Sequence, residues 1–316
     1  MSVRAIILRR VLALIPLWIG ITAISFIIGH IAPGDPGNAI LGERLGRPPT
    51  PGELHAFDHA SGLDRSIILQ YFSWLADAAR GNLGTSYQTG DSVASMLFSH
   101  LGATVILATT ALLIASAVAV PLGVVAARKR ATRVDGALRV LSTLTSSVPN
   151  FAVGYLLIIA FAVELQLVPA QGASTPTSLI LPAVTLAIPT IGIVIRLIRA
   201  SMLDEMGEDY IRTARAKGVS ERAIVYRHVL RNAFGAALTY LGITYAELLA
   251  GAAVVEPVFA WPGIGQVLNT AIHQRDFPVI QGFAILAGTI FLFVNLAVDL
   301  AYIALDPRTR TESVAA

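Results

Sequence analysis

The sequence predicts an all-α, polytopic membrane protein, and three observations carry that prediction. Of its 316 residues 55% are hydrophobic and only 14% are charged, with a mean hydropathy of +0.69; soluble chains average about 25% charged. Several apolar runs reach the ~20 residues that a helix needs to cross a bilayer. Lysine and arginine fall in alternate loops between those runs, the asymmetry that orients membrane helices.

Six runs qualify, at roughly 11–32, 101–127, 138–167, 179–203, 233–255 and 280–304. The first, "VLALIPLWIGITAISFIIGHIA", follows Arg4, Arg9 and Arg10. It is too long for the h-region of a signal peptide and lacks an A-x-A-like cleavage site, so it reads as a retained span. Pro149 interrupts the third run, and Pro182 and Pro189 interrupt the fourth. Each removes an N–H donor and is expected to bend its helix.

The basic residues settle the predicted sidedness. Arg4, Arg9 and Arg10 precede span one, and Arg128, Lys129, Arg130 and Arg133 join spans two and three. Arg196, Arg199, Arg212, Arg215, Lys217, Arg222, Arg227 and Arg231 lie in or beside the loop between spans four and five, and Arg308 and Arg310 follow span six. The intervening loop 168–178 has no basic residue, and 256–279 has only Arg275. Both termini are thus expected on the cytoplasmic side, with the N-terminus and first span over 1–32 and the tail over 306–316. Segment 33–100 is expected outside, and 101–305 forms a five-span core. Within 33–100, "SIILQYFSWLADAA" places Ile68, Phe72, Leu75 and Ala79 at helical spacing, an amphipathic helix for the outer surface or for packing on the spans. "APGDPGNAILG" and "GRPPTPG" read as turn-rich breaks.

Composition also excludes functions. There are no cysteines, hence no disulfide, thiolate catalysis or cysteine-held metal. The net charge of +3 follows the loops rather than forming a patch for nucleic acid. The only lysines, Lys129 and Lys217, follow Arg128 and Ala216, so no G-x-x-x-x-G-K-[ST] phosphate loop exists. HExxH and GxSxG are also missing; no catalytic residue, metal ligand or cofactor is expected in this chain. His30, Glu164, Glu247 and Asp299 lie in apolar runs, where ionisable groups mark function by default. They are scattered in depth, whereas a proton relay needs several partners together, so paired or interfacial side chains are the simpler reading.

The segment "DYIRTARAKGVSERAIVYRHVLRNA", within a loop at 205–232, combines arginines with small residues. Gly218 should divide it into two helical pieces, with Ser220 as N-cap of the second. Ile211, Ala214 and Gly218 share one face, flanked by Arg212, Arg215 and Lys217. Such a face suits docking into a partner's groove; an ordinary positively charged inner loop would account for the arginines alone.

The same segment resembles the EAA loop of bacterial ABC importer permeases, in the version found in dipeptide, oligopeptide and nickel permeases. The Glu-Ala-Ala…Gly pattern falls on Arg212, Thr213, Ala214 and Gly218, with the Glu replaced and the later Leu-Pro standing as Leu230-Arg231. "APGDP" (32–36), "GLDRSIILQYFSWL" (62–75), "GNLGTSY" (81–87), "VEPVFAWPGIG" (255–265), "RDFPVIQG" (275–282) and "VDLAYIALDPR" (298–308) extend the resemblance nearly end to end, to the first permease of a heterodimeric pair. It implies a type I ABC importer transmembrane fold in the bacterial cytoplasmic membrane. Implied partners are a second homologous permease, two ATPase subunits or domains that hold ATP and magnesium, an extracytoplasmic substrate-binding protein, and membrane lipid. The loop would seat in the ATPase, with Ala214 and Gly218 as contact face, Arg212 and Arg215 at its rim and Thr213 beside them. Glu256, Phe259, Trp261 and Gly263 would form an aromatic anchor at the interface, an outer gate or a contact for the binding protein. Short peptides are the expected cargo, with nickel and glutathione compatible. An ion-driven secondary transporter would instead work alone, and a membrane enzyme would need an acid, base or metal constellation that the sequence lacks.

Overall fold

A computed structural model of the chain describes residues 3–31, 41–42, 45–62, 64–250 and 252–305. The "APGDP" segment at 32–36, the tail 306–316 and the side chains of Arg4, Arg9, Arg10, His30 and Asp299 lie outside what is described.

The described residues form helices, with one isolated antiparallel bridge between Thr85 and Ser92. Helix α1 runs Val3–Ile31, followed by α2 (Pro51–Ser61) and α3 (Ile67–Ala79). Next come α4 (Val93–Arg128), α5 (Arg133–Ser147) and α6 (Asn150–Leu157), which continues as a π-helix over Ile158–Glu164. A 3-10 turn, Pro176–Leu179, leads into α7 (Ile180–Glu205), and α8 (Asp209–Ala216) follows. A π-helical turn at Ile224–Val229 opens α9 (Leu230–Leu249), and α10 (Val255–Val258), α11 (Ile264–Gln274) and α12 (Phe277–Leu305) complete the chain.

The packing centre is the α4–α7 pair, flanked by α5 on α7, α1 on α12, and α9 on both α7 and α12. In lipid, apolar side chains gain little from leaving the solvent, so close van der Waals approach decides which helices associate. Helix α4 meets that demand with Leu107, Ala111, Ala115, Ala119 and Gly123, buried at every fourth position. A Cβ on Gly123 would come within 2.7 Å of Ile198 Cβ on α7. Of α7's apolar stretch 61% is buried, against 28% in α4, which makes α7 the hub.

Helices stand at all six predicted positions, with instructive differences. The third run is two helices, α5 and α6, bent by 99°. Val148 before Pro149 is extended (ψ 131°), because the proline ring disfavours helical backbone in the preceding residue. The fourth run is not broken: Pro182 stands in the first turn of α7, where no intrahelical N–H bond is lost, and Pro189 is carried inside. Among the described residues α4, α7 (with its 3-10 lead-in) and α12 are long and apolar enough to cross a membrane, and the bent pair would make a fourth; in α1 the apolar stretch is Leu14–Ile27. Helix α2 begins at the end of the turn-rich "GRPPTPG" break and was not predicted. Thr50 and Glu53 form a reciprocal cap there, Thr50 N–H donating to Glu53 Oε2 at 2.8 Å and Glu53 N–H to Thr50 Oγ1 at 3.4 Å, with Pro51 in the first turn.

Candidate functional site

The arginine-rich segment becomes α8, held rigidly at the foot of the bundle. Ile211 is fully buried and packs with Ile198, Met202, Ile224, Val225 and Val229. The helix ends in a Schellman motif: Gly218 N–H donates to the Arg215 carbonyl (3.0 Å) and Val219 N–H to the Ala214 carbonyl (3.1 Å). Gly218 has φ +78°, a conformation open to glycine at little cost. Ser220 then caps the next turn, accepting from Ala223 N–H at 3.4 Å, as the sequence predicts. A polar triangle fixes the other side. Tyr210 hydroxyl donates to the Glu205 carboxylate, and Asn232 Nδ2 donates to Glu205 Oε1 and to Tyr210 oxygen, each at 3.0 Å. Three elements, the end of α7, α8 and the start of α9, are thereby tied at one point. Burial, and then the Glu205 carboxylate, push the Tyr210 phenol up to about 12.

This geometry divides the face expected from the spacing. Ile211 and the half-buried Ala214 turn toward the chain's own core. Gly218 is exposed, and no atom lies within 4 Å of where its Cβ would be. Its requirement is the turn, not close contact within this chain. The free face carries Asp209, Arg212, Thr213 and Ala216, spaced at three and four residues. Among the described residues Arg212 pairs with exposed Asp209 (3.2 Å) and Arg215 with Glu221 (2.7 Å). Both pairs are solvated and contribute little to stability, so their charge remains available to a partner.

Two arginines that the sequence reading assigned to sidedness are structural. Arg199 on α7 binds Asp135 through Nε–Oδ1 (2.6 Å) and Nη2–Oδ2 (2.9 Å), while Ala131 N–H donates to Oδ2 at 3.1 Å. The Arg199 hydrogen bonds hold the buried Asp135 carboxyl down to about 2. One turn away, Arg196 Nη1 donates to the Ser142 carbonyl (2.7 Å) and Ser146 Oγ (3.1 Å). Helix α5 is therefore bolted to α7 just where α7 descends to α8. The signal was present in Thr132 followed by Asp135, an N-cap with an acid in the first turn, but its partner lies 64 residues away.

At the opposite end, "VEPVFAWPGIG" folds around Glu256, which is completely buried. Its carboxylate accepts from Thr104 Oγ1 (2.8 Å), Gly265 N–H (2.7 Å) and Gln266 N–H (3.2 Å), while Thr104 Oγ1 accepts from Ile264 N–H (2.9 Å). A carboxylate at the start of α11 satisfies amides that have no intrahelical acceptor and favours the positive end of the helix dipole. A Cβ on Gly263 would fall 2.3 Å from Glu256 Oε1, so only glycine fits. Trp261 Nε1 donates to the Ala103 carbonyl on α4 at 3.0 Å, and Phe259 packs with Leu107, Ala111 and Leu181. Phe259 and Trp261 are 2% and 6% exposed. The anchor reading is corrected: these rings are inside the protein, not among headgroups. The buried Glu256 side chain likewise offers nothing to a binding protein. A second weld closes this end, where buried Asp276 accepts from Ser86 Oγ (2.5 Å) and Tyr87 N–H (3.2 Å). Of the ionisable residues in apolar runs, Glu164 and Glu247 are exposed.

With this arrangement in hand the relatives can be compared. Residues 119–311 match the family described as binding-protein-dependent transport system inner membrane component, and residues 3–108 match the N-terminal family of such membrane components. The chain belongs to this family. It is 38% identical over 314 residues to a probable peptide ABC transporter permease of Sinorhizobium fredii, covering 96% of this chain and 98% of the relative. It is 36% identical over 335 residues to the dipeptide transport system permease DppB of Escherichia coli, and 33% over 315 residues to the oligopeptide permease AppB of Bacillus subtilis, with the same coverage in both. Among solved structures, the MetNI methionine ABC transporter aligns with a TM-score of 0.55 at 18% identity, over 67% of this chain and 96% of that one. At that identity the likeness shows the fold, that of a type I ABC importer permease. The family membership is that of a membrane transport component.

Proposed function

We propose that this chain is a permease subunit of an ABC importer for short peptides, and that α8 is the helix through which partner ATPases drive it. The observation that carries the proposal is the two-sided build of α8. One side is anchored by Ile211, Ala214 and the Tyr210–Glu205–Asn232 triangle; the other leaves Arg212, Thr213 and Ala216 free. Moving a two-state transporter from one dominant state to the other takes about 5.5 kcal/mol of differential binding. A helix tied to α7 and α9 can deliver such a load into the bundle, whereas a loosely attached loop would absorb it.

In this reading the contact face is Arg212, Thr213 and Ala216, with Arg215 at the rim and Gly218 shaping the turn. ATP and magnesium are held by the partners, a second permease completes the pathway, and an extracytoplasmic binding protein supplies substrate. Both termini and α8 face the cytoplasm, supported by the positions of the arginines. Phe259, Trp261 and Gly263 serve as a packed outer gate seated on α4. Peptide as cargo is supported by the relatives' names at 33–38% identity over nearly the whole chain.

Thr213→Trp tests the contact directly. Its bulk points away from the chain's core, so the purified variant is expected to melt within a few degrees of wild type while losing co-purification with the ATPase and stimulated ATP hydrolysis. A variant that retains both disproves the docking face.

A further inference from the structure

Helix α3 wears its hydrophobicity on the wrong side for a helix in water. Its inner face, Tyr71, Trp74 and Ala78, meets the bundle: Tyr71 hydroxyl lies 3.0 Å from Thr22 Oγ1, and the Phe26 ring packs against Tyr71 and Trp74 at 5.4 and 5.6 Å. Its outer face carries Ile68, Leu69, Phe72, Ser73 and Ala76, and no residue of the helix is buried. Ile68, Leu69 and Phe72 are 66%, 61% and 60% exposed. Charge is confined to the two ends, with Asp64 and Arg65 before the helix and Asp77 and Arg80 at its close.

The level of attachment identifies what covers that face. Thr22 lies nine residues before Ile31, the end of α1, or about 14 Å along the axis. Helix α3 therefore sits beside the last turns of α1, not beyond them. The exposed row Leu12, Ile15 and Ile19 lies on the face of α1 that continues as Thr22 and Phe26, the seat of α3, and at the level of α3 the adjoining side of α1 exposes Ile27. The apolar surface of α3 thus adjoins the exposed side of α1's apolar stretch Leu14–Ile27, and charges at its two ends, with none on the outer face between them, suit a helix lying in the plane of the interface. We propose that α3 is an in-plane membrane helix, sunk with Ile68, Leu69 and Phe72 in the acyl chains of the leaflet opposite the arginine-rich end. The inference depends on the chain's residence in a membrane and not on its substrate or its ATPase.

The chain has no cysteine, so Ile68→Cys and Phe72→Cys can each be spin-labelled without further change, with Asp91→Cys in the exposed turn before α4 as aqueous reference. The assembled transporter, purified by a tag on this chain so that any partner remains present, is reconstituted in vesicles of phosphatidylethanolamine and phosphatidylglycerol. Accessibility to oxygen and to nickel(II) ethylenediaminediacetate is then read by power-saturation electron paramagnetic resonance. At 68 and 72 oxygen is expected to exceed the nickel reagent several-fold, with the order reversed at 91. Access by the nickel reagent at 68 or 72 would place the face in water and overturn the proposal. Exclusion of both reagents would show a protein, such as a second permease, on this face, and would overturn it equally.

Discussion

Gly218 separates two explanations of a small residue that look identical in a sequence. Small side chains next to arginines suggest a surface that another protein approaches, and the spacing places Gly218 with Ile211 and Ala214. The structure assigns it a positive φ in a Schellman turn with open space at its Cβ position. In the purified chain Gly218→Ala and Gly218→Trp are therefore expected to cost about the same, on the order of 1 kcal/mol for an L-residue in left-handed backbone, measured by thermal melting in detergent. A cost that grows with side-chain bulk would mean that atoms of this chain occupy the space. Tyr210 gives a second test. Its folded pKa of about 12 exceeds the ordinary 10, so its contribution to stability is complete below pH 10 and is lost as pH rises through 12. An ultraviolet titration should show one phenol ionising near the upper limit, absent in Tyr210→Phe and shifted down in Glu205→Gln. Gly218 as the break between two helices was legible from the sequence; that its Cβ position is open, and the role of Tyr210, were not. Tyr210 needs a carboxylate five residues back and an amide 22 residues on, a meeting created only by the turn at Gly218.

Helices were legible where pattern and composition agree, and their joints were not. The apolar runs placed α1, α4, α7, α9 and α12, and the i, i+4 spacing found α3. The proline rule then worked in one place and failed in another. Pro149 breaks its run because Val148 takes up extended backbone, whereas Pro182 is accommodated in the first turn of α7 and Pro189 is carried inside the helix with neighbouring helices packed around it. Such an outcome depends on packing that sequence does not display. The α5–α7 clamp is likewise a tertiary fact. Asp135→Asn removes the carboxylate partner of a largely buried guanidinium, which costs roughly 3 kcal/mol; the variant should melt lower by several degrees, and Arg199→Lys, lacking the two-pronged geometry, should recover little of it. At the other end, Gly263→Ala forces a methyl group onto the Glu256 carboxylate. It is expected to lose the seat of Trp261 on α4, seen as a red shift in tryptophan emission as the ring meets water.

At the scale of the whole molecule the two ends are built alike. Each is a short helix welded to the long helices by a polar centre: partly exposed Glu205 with Tyr210 and Asn232 at one end, buried Glu256 with Thr104 and two backbone amides at the other. Rigid ends on a bundle whose middle is packed by small residues form a body that can rock as a unit. Family membership accounts for this as transport machinery; the sequence has no phosphate-gripping loop, and in the function proposed above partner ATPases supply the driving energy. The most direct measurement is uptake of a labelled dipeptide into proteoliposomes, made with this chain alone and with the full set of a second permease, ATPases and binding protein. Accumulation is predicted only for the full set, only with ATP, and not with the Thr213→Trp variant. Accumulation by this chain alone, or at an unchanged rate without ATP, would contradict the account.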